Sequence, residues 1–177
     1  VCLYAACRMQ KKPVMIIDFS ELLRRDLFVV GHTYLQLVFQ LDLKLPIIDP
    51  ALFLERFASQ LDYGDQFQIV VRTAAKLAGR MNRDWMVQGR RPAGISAAAL
   101  VIASKIHGFN RTPQEVMVVV RLSACTIQKR LNEFARSSVA SLSPEQFQVK
   151  DESVKEELDP PSYIQGIHKR KINRRCS

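Results

Sequence analysis

Residues 89–134 read GRRPAGISAAALVIASKIHGFNRTPQEVMVVVRLSACTIQKRLNEF. They spell three helices in a row. Pro92 opens an apolar helix over about 93–107, where Ala97, Ala98, Ala99 and Ala103 keep the cylinder narrow. An unbroken apolar run through 97–103 predicts burial on nearly all sides. Thr112-Pro113-Gln114-Glu115 then supplies a cap, a first-turn proline and the acid of a capping box. That helix is short, ending near Val120. Ser123 caps a third helix, with Ile127, Leu131 and Phe134 expected on its buried face.

Two helices across a tight turn, the second capped by Ser, form a helix-turn-helix pattern. Its outward face carries Cys125, Gln128, Lys129 and Asn132. In a DNA-reading motif the early exposed positions of the second helix reach the major groove. Arg121 stands at the usual turn glycine, which predicts a looser turn, since a left-handed arginine is costly. A plain helical hairpin in a bundle is the competing reading of the same pattern.

Charge placement sharpens the choice. Of 26 basic and 17 acidic residues, seven and seven fall in 1–63, but twelve and four in 64–136. Residues 137–163 carry two basic and six acidic side chains, and 164–177 five basic and none acidic. A +8 excess on the helix-turn-helix module is the footprint of a phosphate-binding surface. A solvated basic face without a partner is the blander alternative.

Upstream, the chain opens inside an apolar helix over 1–9, which predicts a fragment of a longer protein. Helices are expected over 18–25 and 26–41, the latter with Val30, Tyr34, Leu37, Val38 and Leu41 at helical spacing. Residues 43–48 connect to a helix over 51–62, started by Asp49-Pro50. A long helix over 66–87 should face Val70, Ala74, Leu77, Met81 and Trp85, or their neighbours, inward. Its other side should present Arg72, Lys76, Arg80 and Arg83 as one basic stripe. Slid by 97 residues, the first three helices align without a gap on the central three. Leu3 falls on Leu100, Asp18 on Glu115, Leu23 on Val120 and Tyr34 on Leu131. A structural repeat follows, with its first copy truncated. After Phe134 come a cap at Ser143, an acidic stretch over 151–159, an extended Pro160-Pro161-Ser162-Tyr163 and the basic tail HKRKINRR. That tail suits nuclear import, a nucleic-acid arm or a solvated end.

The expected architecture is all-α: residues 1–43 as the last three helices of one five-helix unit, 49–136 as a complete second unit, and 137–177 as an extension. This order, with its Gly-Arg-x-Pro lead, resembles the cyclin-type repeats of the transcription factor IIB family. Gly89-Arg90-Arg91-Pro92, Ser96-Ala97-Ala98-Ala99 and Arg111-Thr112 carry the likeness. Arg83-Asp84-Trp85-Met86, Gln128-Lys129-Arg130-Leu131 with Glu133-Phe134, and Asp159-Pro160-Pro161-Ser162-Tyr163 are similar to the TFIIB-related factors of RNA polymerase III within that family. The resemblance implies a nuclear general initiation factor. Its partners would be the TATA-binding protein, promoter DNA, RNA polymerase III and the other subunit of initiation factor IIIB. The family's N-terminal zinc ribbon and the first two helices of its first repeat have no counterpart here. Positions where factor IIB carries lysines toward the TATA-binding protein fall near Leu27 and Phe28. The family's groove-reading positions fall on Cys125 and Gln128. Gln suits adenine, whereas Cys is a poor base reader, which favours backbone contact. Arg90, Arg91, Arg111 and Lys129 are the expected phosphate contacts.

No enzyme, cofactor or metal is expected. His32, His107 and His168 are scattered, no P-loop or nucleophile motif occurs, and the four cysteines form no CxxC pair. Such cysteine usage suits a reduced intracellular protein. No apolar run is long enough to cross a membrane, so no membrane partner is expected. A cyclin-like partner of a protein kinase is the alternative, since the same fold would permit it. It would present an apolar groove and no basic stripe.

Overall fold

A computed structural model of the chain describes residues 1–141, 143, 146–147, 159–160, 163–164 and 166. The acidic stretch 151–158, the basic tail and His168 lie outside the described residues. Eight α-helices are described, and no strand occurs among the described residues. They fall into two units, Val1–Phe53 and Leu54–Ser177.

The first unit holds α1 (Cys2–Met9), α2 (Ile16–Leu23) and α3 (Leu27–Gln40), then a 3-10 turn at Pro50–Phe53. Its core is a small aromatic knot. Tyr4 meets Phe19 and Tyr34 edge-on, with centroids 5.6 and 4.9 Å apart. Ile16, Leu37, Val38 and Leu43 close around it. Much of the unit's apolar surface is uncovered, Phe28 and Phe39 being more than four-fifths exposed.

The second unit is better filled. It comprises α4 (Leu54–Ala58), α5 (Phe67–Arg83), α6 (Pro92–Ile106), α7 (Pro113–Val120) and α8 (Ala124–Phe134). Short 3-10 turns lie at Gly64–Gln66 and Ser138–Ser141. Helix α6 is the axis: residues 93–101 are all buried, and α4, α5, α7 and α8 all pack on it. Alanine makes this possible, since small side chains let four neighbours approach one cylinder at crystal-like density.

The 97-residue repeat is visible in the backbone. Lys12 N–H donates to Cys7 O at 2.9 Å, and Phe109 N–H to Ser104 O at 2.8 Å. Each closes a helix whose next-to-last turn residue is left-handed, Lys11 at φ 52° and Gly108 at φ 81°. Asp18 accepts from Met15 N–H as Glu115 accepts from Thr112 N–H. Arg24 and Arg121 end α2 and α7 in the left-handed region, at φ 50° and 57°. Asp26 and Ser123 then cap α3 and α8.

Four expectations need correction. Arg80 is not on the outer stripe: it is buried and bonds Asp84 through Nε at 3.0 Å. A spacing of four residues overshoots a helical turn by about 40°, so two such steps from Arg72 swing position 80 into the core. Arg72, Lys76 and Arg83 remain exposed. Second, α5 stops at Arg83. Trp85 adopts φ 56° and is half exposed, and the reversal sends Met86 inward instead. Third, the turn at Arg121 is tight, because arginine does enter the left-handed region there. Fourth, Tyr163 and Ile164 both donate to Pro160 O, at 2.9 and 3.2 Å, so Tyr163 does not end an extended run as expected; residues 161 and 162 lie outside the described residues. The Ser143 cap does form: Ser143 Oγ accepts from Gln146 N–H at 3.2 Å, and Gln146 Oε1 accepts from Ser143 N–H at 3.2 Å.

Candidate nucleic-acid interface

The interface is built from the lead into α6 and from the α7–α8 pair. Thr112 Oγ1 accepts from Glu115 N–H at 3.3 Å, while Glu115 returns the bond to Thr112 N–H at 3.1 Å. This fixes where α7 begins. Arg111, just before it, donates from Nη2 to Asp62 O at 2.8 Å and lies 5.8 Å over the Tyr63 ring. Tyr63 is itself held, its hydroxyl 2.7 Å from Ser104 Oγ and its ring edge-on to Phe109. Burial raises the Tyr63 phenol above its ordinary value. The loop before α7 is thus bolted to α6 and to the turn at Asp62.

Helix α8 starts from Ser123, whose Oγ accepts from Thr126 N–H at 3.3 Å. Ile127 and Phe134 are buried as expected, but Leu131 is only half-buried. Arg130 and Glu133 take the remaining inward positions. They form one network with the helix-α6 lead: Arg90 Nη2 lies 3.0 Å from Glu133 Oε1, and Arg130 Nη1 lies 2.6 Å from Glu133 Oε2. Burial lifts the Glu133 carboxyl above its ordinary range, and attraction to Arg90 only partly offsets it. The network was invisible as such in the sequence. The Arg-x-x-Glu spacing signals an i,i+3 pair, but not that it points inward.

The six expected contact residues divide into two sets. Arg91, Cys125, Gln128 and Lys129 are exposed. Gln128 Nε2 donates to Asn132 Oδ1 at 3.0 Å, which presets its amide. Arg90 and Arg111 are half-buried and engaged with Glu133 and Asp62. Two of the acids in α5–α8 or at their caps are taken up inside the unit, whereas Glu55, Asp62 and Asp65 are exposed. Asp84 and Glu133 are buried in ion pairs, and Glu115 sits in a capping box. Most cations lie at the surface: Arg72, Lys76, Arg83, Arg91, Lys105, Arg121, Lys129 and Arg136 are exposed. A surface of this sign attracts polyanions over a Debye length, about 8 Å at physiological salt.

No group of three or more His, Cys, Asp or Glu able to hold a metal occurs among the described residues. His107 Nε2 is 2.8 Å from Thr73 Oγ1, an internal tie between α5 and α6. No helix among the described residues is long and apolar enough to cross a membrane.

An all-α unit of five helices, four of them around a buried central one and two of them forming a helix-turn-helix, defines a cyclin-like repeat domain. The family model described as the transcription factor TFIIB repeat matches residues 43–137, and the chain belongs to that family. The chain is 43% identical to the Homo sapiens transcription factor IIIB 90 kDa subunit over 168 residues, 95% of this chain and 24% of that protein. It is 44% identical to the Schizosaccharomyces pombe transcription factor IIIB 60 kDa subunit over 165 residues, 93% of this chain and 33% of that one. Similarity extends to the transcription initiation factor IIB of Pyrobaculum islandicum, at 34% over 135 residues, 76% of this chain and 40% of that protein. The chain therefore spans between a quarter and two fifths of these relatives.

Proposed function

We propose that this chain is the repeat region of a general transcription initiation factor of RNA polymerase III, acting in the nucleus. It binds the complex of TATA-binding protein and promoter DNA and helps recruit the polymerase, alongside the other subunit of initiation factor IIIB. Residues 1–43 serve as the last three helices of a first repeat, 49–136 as the second, and 137–177 as an extension. The observation that carries the reading is the exposed α8 face with Gln128 and Lys129, set by the Ser123 cap and the left-handed Arg121, on a fold matched by the TFIIB repeat. Naming of the relatives as subunits of transcription factor IIIB supports polymerase III over other systems. The same family match favours this reading over a kinase-partner cyclin.

Arg91 and Lys129 are the principal phosphate contacts, with Cys125 and Gln128 facing the groove. Arg90 and Arg111 contribute less, because their guanidinium groups already serve Glu133 and Asp62. Binding to straight DNA alone is weak. A bend introduced by the TATA-binding protein brings both flanks within reach of two repeats.

The test is a gel shift on a TATA-containing duplex, with and without TATA-binding protein, across a salt series. A supershift only in its presence, weakening with salt, is the expected result. Each phosphate contact adds about −0.9 to the log–log slope, so Arg91→Ala and Lys129→Ala should each flatten it by about that amount on every sequence alike. A supershift that ignores salt, or a loss confined to one sequence, overturns the assignment of these residues.

A further inference from the structure

We infer that the first unit carries a second binding site, for an acidic peptide with an apolar anchor, independent of the DNA-facing surface. A concave pocket of about 270 Å³ opens between the end of α1 and the segment that follows α3. Its cationic side is Arg8, Lys11 and Lys12, and its apolar wall includes Ile47, Ile48 and Leu52. Arg8 is fixed at this site rather than free to sweep solvent. Its Nη2 donates to Pro46 O at 2.9 Å, and its Nη1 reaches Tyr34 Oη at 3.4 Å. Its Nε is buried with no hydrogen-bond partner. Lys11 and Lys12 are exposed beside it, and Ile47 is 96% exposed at the same pocket.

Charge and shape together select the occupant. Three cations against the one acid of the lining, Asp49, favour a carboxylate-bearing ligand. A nucleic-acid backbone also satisfies cations, but it gains nothing from an isoleucine-leucine wall, and this volume admits a side chain or two rather than a duplex. An extended peptide that places one Leu or Phe on Ile47 and Leu52, with acids on either side, uses every part of the lining. The corresponding place in the second unit keeps only one of the three cations: 97 residues on, Arg8 becomes Lys105, but Lys11 and Lys12 become Gly108 and Phe109. The site is therefore particular to the first unit and is no general property of the repeat.

That correspondence also supplies a clean variant. Lys11 holds φ 52° where its counterpart is a glycine, so Lys11→Gly removes a charge and relieves backbone strain together. The experiment uses the full 177-residue chain and a fluorescein-labelled 12-residue peptide of four Glu, two Asp and a Leu-Phe pair in a Ser background, read by fluorescence anisotropy. The expected result is saturable binding that a Gln/Asn analogue of the peptide does not show. Lys11→Gly with Lys12→Gln should weaken binding at least about tenfold while unfolding at the same or higher denaturant concentration. Ile47→Ser should weaken it with the salt dependence unchanged. Equal binding by the lysine variant, equal binding of the neutral peptide, or displacement of the peptide by a short non-TATA duplex would each overturn the site. Loss of the TATA supershift by the lysine variant would overturn its independence from DNA binding.

Discussion

Asp84→Asn is the sharpest test of the interior as described. Arg80 and Asp84 are each 1% exposed and 3.0 Å apart, one helical turn apart at the end of α5. Asparagine keeps the shape and one acceptor but removes the anion, leaving a guanidinium charged and buried. At an effective dielectric near 20, unit charges at this separation attract by about 5–6 kcal/mol. Deleting one partner of a buried pair costs about 3–5 kcal/mol in practice. We therefore expect a loss of about 4 kcal/mol, a large share of the ~5–15 kcal/mol that a domain possesses. With a urea slope near 2 kcal/mol/M, the midpoint falls by about 2 M. The single tryptophan, Trp85, is the adjacent residue and reports the transition by fluorescence, checked against circular dichroism. Replacing both partners, Arg80→Met with Asp84→Leu, should recover at least half the loss, since no buried charge remains. Asp84→Asn within about 1 kcal/mol of the parent, the range of an ordinary surface change, would refute the reasoning.

Three further outcomes follow from the same structure. Ala98→Leu adds three carbons to a fully buried position on α6 and should cost about 2 kcal/mol, lowering Tm by about 4–8 °C; a rise in Tm would mean that α6 is not closely packed. Arg121→Val forces a β-branched side chain to φ near 57° and should cost about 1–2 kcal/mol, whereas Arg121→Gly should match or exceed the parent in a urea titration. Glu133 is raised in the folded state, so its contribution is full below the unfolded carboxyl value near 4.5 and is lost as pH rises through the folded one. Relative to Glu133→Gln, the parent should gain stability as pH falls from 7 toward that window, and a gap moving the other way in parallel urea titrations would reverse the assignment.

What could be read from the sequence was mostly what is decided locally. Thr112-Pro113, Ser123 and Asp26 mark helix starts because their side chains satisfy backbone donors a few residues away. The alanine run of α6 announced burial because no polar group interrupts it. Directions were harder. Arg80 and Arg83 look equivalent on paper, and only the accumulated phase of the helix separates the core from the surface. Arg130 and Glu133 were hidden for a different reason. Charged residues are seldom buried, and what permits it here is a third charge, Arg90, from forty residues earlier in the chain. Of the six proposed contact residues, exposure was foreseeable for Cys125, Gln128 and Lys129 from helical phase. The internal bonds of Arg90 and Arg111 depend on tertiary partners that spacing does not reveal.

The alanine helix α6 has a mechanical consequence. Its flanks touch α4, α5, α7 and α8, and its first residue directly follows Arg91. A shift of α6 along its own axis would meet all four neighbours at once. Arg90, one residue before Arg91, bonds Glu133 on α8, so the lead into α6 and helix α8 are held as one piece.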